Sequence, residues 1–318
     1  MKRGISRTNS YLMREKNMKL RSLRWAVALW IMASVVAIPV KALANTGDCG
    51  QNLSSSIPPR SASALSGSQF ARKIEGLSDD LREAAIRDQL VAGNIPGFLR
   101  RLTPVTLDSG SAQRGQARVV ICVAPDYLAI GSDSDYFLAP MRLETALSIA
   151  RRFGFLLPTR KMVDAVYAQS PVQLQPRPLP ASDAMRSTAY YWQHNLMVGE
   201  QRAANGLPLG TLTAGDKKDL VLTSRLWRMQ DRVAIYGWHL PTGRPIQPLS
   251  TVHGWRYADY SHGVRLIADI AYVDGAAQHI LSFLSDDHFA ALFSDDGPIP
   301  QAARLIDALD GRAPSTGL

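Results

Sequence analysis

Four prolines, Pro171, Pro176, Pro178 and Pro180, fall within QSPVQLQPRPLPAS, residues 169–182. Proline fixes its own φ and has no backbone N–H, so neither a helix nor an interior strand runs through such a stretch. It reads as an extended connector, and the chain has a different pattern on either side of it. Before it, residues 70–168 are mostly helical in periodicity. Ser78-Asp79-Asp80 reads as a cap before LREAAIRDQLVAG, with Gly93 as its stop, and Pro96-Gly97 opens a short helix, FLRRL. A strand, ARVVICVAP, is predicted over 117–125, and two helices over 141–155 and 159–169, separated by Pro158.

After the connector, AYYWQHNLMVGEQ reads as a helix, followed by three strand-like runs, KDLVLTSRL, DRVAIYGWHL and GVRLIADIAYV. The chain closes on helical HILSFLSDDHFAALF and AARLIDALDG. Strands adjacent in sequence and flanked by helices predict an α+β fold, with a mainly antiparallel sheet in the C-terminal half. Residues 70–168 and 183–318 then make one domain, or two lobes meeting at the connector.

The first 44 residues follow another logic. Lys and Arg crowd the segment before an apolar run from Trp25 to Val40, and Ala42-Leu43-Ala44 supplies a small-x-small cleavage site. Residues 1–44 are therefore read as a secretory signal peptide, and the Ser-, Gly- and Pro-rich residues 45–69 as a flexible lead-in. The apolar run is shorter than the roughly 20 residues that span a bilayer, so no membrane span is expected after cleavage. Nine of the 36 Lys and Arg and one of the 27 Asp and Glu lie in those 44 residues. The remainder carries 27 basic and 26 acidic residues, a net charge of about +1, and nucleic acid is not an expected partner. Two cysteines, Cys49 and Cys122, stand outside any metal-type spacing, and in an oxidising compartment a disulfide between them is expected.

All six histidines, and every tryptophan beyond the leader, lie after the connector. Aromatic rings beside polar groups suit carbohydrate and polymer surfaces, though strands also favour aromatics for their cores. The densest stretch is IYGWHLPTGRPIQPLSTVHGWRYADYSHGVRLI, residues 235–267. Pro241 and Gly243 place Arg244 at a hairpin tip. His239, His253, Asp259, His262 and Arg265 are the candidate catalytic residues. Imidazole titrates near neutral pH, a carboxylate can fix its tautomer, and a guanidinium can neutralise an anion. Trp238, Trp255 and Tyr260 are candidate substrate-binding residues, joined by Lys217 and Asp219 of AGDKKDLVLTSRL. That run of charges also fits a solvated turn. No cofactor motif is evident; His239, His253, Asp259 and His262 are ligand types that make zinc possible.

Ser261-His262-Gly263-Val264-Arg265, after His253-Gly254, resembles the SHG-Cys-x-Arg signature of L,D-transpeptidases. No cysteine follows Gly263 and the arginine comes one residue early, so the thiol chemistry does not carry over. His253-x5-Asp259 is similar to the His-x6-Asp of zinc D-alanyl peptidases, one residue short and without their Glu-x-x-His. The expectation is an exported hydrolase, periplasmic or extracellular, acting on a polysaccharide or peptidoglycan through a His/Asp/Arg site that a metal could assist, with elimination as the lesser form of the reaction. The alternative is a non-catalytic envelope or carbohydrate-binding protein.

Overall fold

Val119–Val123 is buried at every position, as its unbroken apolar sequence VVICV requires of a strand covered on both faces. In the computed structural model, which describes residue 49 and residues 55–107 and 117–311, this strand lies inside the larger sheet. All described residues belong to the unit Ala42–Leu318. The expected signal peptide, residues 1–44, lies outside the described residues.

The elements in chain order are α1 (Gly67–Lys73), α2 (Asp79–Val91), β1 (Thr103–Leu107), β2 (Val119–Val123), β3 (Ala129–Ser132), β4 (Asp135–Leu138), α3 (Leu143–Arg152), β5 (Phe155–Leu156), α4 (Arg160–Gln169) and β6 (Val172–Gln173). They continue with α5 (Thr188–Asn205), β7 (Thr213–Ala214), β8 (Lys218–Leu220), β9 (Ile235–His239), β10 (Pro245–Ser250), β11 (His262–Gly263), β12 (Ile267–Val273), β13 (Ala276–His279), α6 (Ile280–Leu284) and α7 (Ala302–Asp310). The fold is α+β, with antiparallel sheets mostly in the C-terminal half and helices flanking them.

Local chemistry sets the helix ends. The Ser78 side chain accepts from the Leu81 amide to start α2, whose Arg82, Glu83, Ile86 and Leu90 form the buried face at helical spacing. Thr159 caps α4 in the same way, directly after Pro158. Between α3 and α4 the chain is extended enough for Phe155 and Leu156 to join β12.

The larger sheet runs β1-β2-β12-β13, with β5 also paired to β12. Strands from both sides of the proline-rich stretch therefore share one sheet. Cys49 is bonded to Cys122 on β2, with Cα atoms 5.4 Å apart. The smaller sheet runs β10-β9-β8-β11; its β11–β8 pair is parallel and its other pairs are antiparallel.

Several expectations change in detail. GVRLIADIAYV is not one strand: His262–Gly263 pairs in the smaller sheet and Ile267–Val273 in the larger. The chain crosses between sheets at Arg265, whose guanidinium bonds the carbonyls of Ala124 and Thr213. KDLVLTSRL is a strand only over Lys218–Leu220, followed by a 3-10 turn at Ser224–Trp227. HILSFLSDDHFAALF is helical only over Ile280–Leu284, with a further 3-10 turn at Ala290–Leu292. Even the connector contributes two residues, Val172 and Gln173, parallel to β7. Among the described residues no helix is long and apolar enough to cross a membrane.

Candidate functional site

The smaller sheet gathers the charged run of AGDKKDL and the His-rich stretch around β8. Lys218 faces Gly237 of β9 on one side and His262 of β11 on the other. Asp219 likewise lies between Tyr236 and Gly263. The β9 backbone is bent where these groups meet: Gly237 has φ +109° and Trp238 φ +56°. A left-handed backbone at a bulky residue costs energy and persists only when its surroundings hold it. Here the Trp238 amide donates to the Lys217 carbonyl at 3.0 Å, and the indole is buried.

His239, the last residue of β9, reaches α4. Its Nε2 lies 2.9 Å from Asp164 Oδ1. An ionised carboxylate only accepts, so Nε2 carries the hydrogen and Nδ1 is left as the basic nitrogen. The Tyr236 hydroxyl donates to the same carboxylate, at 2.8 and 3.1 Å. Burial first, then the bond to Asp164, pushes the Tyr236 phenol well above its ordinary value, so it remains a donor. Tyr167 stacks on His239 with centroids 4.5 Å apart, and its own hydroxyl donates to the Leu240 carbonyl. These side chains, with Gln173 and the turn from Pro241 to Pro245, line an open cavity of about 500 Å³.

A second group lies on the β11 side. His253 stacks on Tyr257 at 4.1 Å, and Tyr257 meets His262 edge-on at 5.7 Å. Asp259 accepts from the Ser261 amide at 2.8 Å, the Ser261 hydroxyl at 2.5 Å and the Tyr257 hydroxyl at 2.9 Å. Burial alone would raise the Asp259 carboxyl, but His262, the Ser261 bonds and Lys218 outweigh it and hold it down at about 2. His262 is fully buried, which drives its imidazole down to about 4 against the opposing pull of Asp259. Near neutral pH it is uncharged, and among the described residues neither ring nitrogen has a hydrogen-bond partner.

Behind the sheet is a buried acid–base core. Burial, then the Asp216 carboxylate, pushes Asp126 up to about 7. Asp219 is raised to about 6 by burial, against the pull of Arg265, and accepts from the Tyr127 hydroxyl at 2.9 Å. Lys217 is brought down to about 8 by burial, against nearby carboxylates; its Nζ donates to the Tyr260 carbonyl at 2.6 Å and to His194 Nδ1 at 3.0 Å. Asp216, Lys217 and Asp219 are each at most 2% exposed, so the charged run is not a solvated turn. Only Lys218 among its four residues is not buried.

The structure thus divides the residues singled out by sequence. His239, itself only 2% exposed, lines the open cleft. His253, Asp259 and His262 cluster around Tyr257, while Trp238 and Tyr260 each meet the ring of His194. Lys217, Asp219 and Arg265 sit in the buried core, where Arg265 also packs over the Tyr127 ring at 4.4 Å. Trp255 stands apart, carrying the Arg256 guanidinium 5.4 Å above its ring. Among the described residues, no group of three or more His, Cys, Asp or Glu is arranged to hold a metal ion. His239, His253, Asp259 and His262 therefore do not converge as zinc ligands, and a metal-assisted form of the site gains no support.

Sequence reasoning missed Asp164, Tyr167 and Gln173. The one available signal was weak: Asp164 and Tyr167 are three apart on a helix and so share a face. No protein-family model, no curated protein and no solved structure matches this chain.

Proposed function

We propose that this protein is an exported hydrolase acting on an extracellular or cell-envelope polymer, a polysaccharide or peptidoglycan, in the cleft between α4, β9 and the turn at 241–245. The observation that carries the reading is the His239–Asp164 pair, 2.9 Å apart on the wall of an open cavity. Paired in this way, Asp164 fixes the tautomer and stabilises the imidazolium as it forms, while His239 Nδ1 takes the proton from a water that bonds to the glycosyl or acyl carbon and returns it to the departing oxygen or nitrogen as that bond breaks. Tyr236 donates a hydrogen bond to Asp164, and Tyr167 fixes the plane of the ring. Gln173 and Thr242, which also line the cavity, offer hydrogen bonds to a hydroxyl- or amide-rich chain.

Incubating the purified protein with a panel of envelope polysaccharides and peptidoglycan, and reading products by mass spectrometry, tests this reading. New chain ends carrying the elements of water are expected. A second reading, a non-catalytic carbohydrate-binding protein, draws on the two donors that hold Asp164 in place, which also suits a fixed recognition wall. Saturable binding to a polymer without any product would favour it.

A further inference from the structure

Around Trp238 several buried N–H groups have no acceptor among the described residues. The indole Nε1 of Trp238, Nε2 of His194 and both ring nitrogens of His262 are buried and unpartnered. Buried polar groups in folded proteins are nearly always satisfied, so such a concentration calls for a missing partner. The tautomer at His194 follows from Lys217: an ammonium only donates, so Nδ1 is the acceptor and Nε2 bears the hydrogen. Neutral His262 adds one donor and one acceptor. The side chains concerned are neighbours. The Trp238 ring meets His194 at 6.2 Å, Lys218 Nζ lies 5.1 Å from the Trp238 ring, and His262 pairs with Lys218 across β8 and β11.

From this juxtaposition we infer that Trp238, His194, His262 and Lys218 form a binding site for an oxyanion, the carboxylate or phosphate group of a small or chain-end ligand. The donor set dictates the class. Trp238 and His194 offer only N–H, His262 offers one more, and Lys218 adds an ammonium, so the complement is an oxygen-rich anion rather than a cation. The nearby Asp259 does not compete for these donors, because its oxygens are taken by Ser261 and Tyr257. Lys217 is shared among Asp216, Asp259 and Asp126, whereas Lys218 answers only to Asp259, and burial keeps His262 neutral. Lys218, His253 and Tyr257 are half-buried, whereas His194, Trp238 and His262 are buried. The site uses none of the residues of the His239 cleft, and the inference does not depend on the hydrolase reading.

The test is a titration of the full chain with glucuronate, inorganic phosphate and glucose, followed by NMR of the tryptophan indole and histidine ring nitrogens. Trp238→Phe identifies the indole signal. A saturable shift of the Trp238 and His262 signals with glucuronate, phosphate or both is expected, with none from the neutral sugar; the anion that responds identifies the source. Lys218→Met, whose side chain is half-exposed and whose folding is checked by an unchanged melting temperature, should weaken binding about tenfold or more. His262→Gln should do likewise. Absence of a saturable shift with either anion would overturn the inference and leave ordered water as the partner of these groups. So would a shift that survives both substitutions.

Discussion

Asp126 and Asp216 place two carboxyl groups in the interior near Arg265, and Asp126 carries the clearer consequence for pH. Its folded value of about 7 stands above the ordinary 3.8, through burial and then through Asp216. Between those values the folded chain holds a proton that the unfolded chain has released. The stability this confers is therefore full below about pH 3.8 and is lost as the pH rises through about 7. Asp126→Asn removes this share of the slope and leaves that of Asp219 and Glu83. Relative to the variant, the wild-type melting temperature should fall steadily from pH 4 to pH 7, and parallel curves would contradict the assignment. Buried His262 follows the opposite rule. His262 is held neutral by burial down to about pH 4, so its contribution is full above pH 6.5 and is lost as the pH falls through about 4.

At the scale of the element, β9 carries the argument, because its last residue is His239. Gly237 at φ +109° is a conformation that side chains rarely adopt, although a Cβ there would find ordinary contacts with Val163, Asp219 and His239 at 3.4 to 3.5 Å. Gly237→Ala should therefore cost about 1–3 kcal/mol through backbone strain rather than collision. Denaturant unfolding measures this, and a neutral result would show that the bend is not strained. The same scale shows what was legible in the sequence. Ser78, Thr159 and Pro158 act through neighbours a few residues away, so α2, α4 and the break before α4 could be read directly. PIQPLS was not read as β10, because two prolines and no clear alternation hide a strand that exists by pairing with β9. Nor could the parallel β8–β11 pair be foreseen, since Lys218 and His262 meet only through tertiary folding. Asp164 was missed for the same reason: it stands 75 residues from His239 and on the other side of the connector.

At the scale of the whole molecule, the Cys49–Cys122 bond ties the segment before α1 to the buried strand β2 across 73 residues. A cross-link over such a separation constrains the unfolded chain strongly, and its loss typically costs about 2–5 kcal/mol. Replacing both cysteines by serine should lower the melting temperature, and reduction should leave the variant unaffected. Equal melting of the oxidised and reduced wild type would show that the bond adds nothing. The larger sheet, with β12 between β2 and β13, supplies the frame for this tie, and the smaller sheet and α4 present the His239 cleft.

The most direct test of the proposed chemistry is the turnover of Asp164→Asn and His239→Gln on whichever polymer the wild-type protein cleaves, at equal folded concentration. Each should reduce kcat by about 10²–10⁴-fold, the usual contribution of a positioned acid–base group, with a smaller effect on KM. Wild-type turnover in either correctly folded variant would contradict the placement of catalysis in the His239–Asp164 cleft.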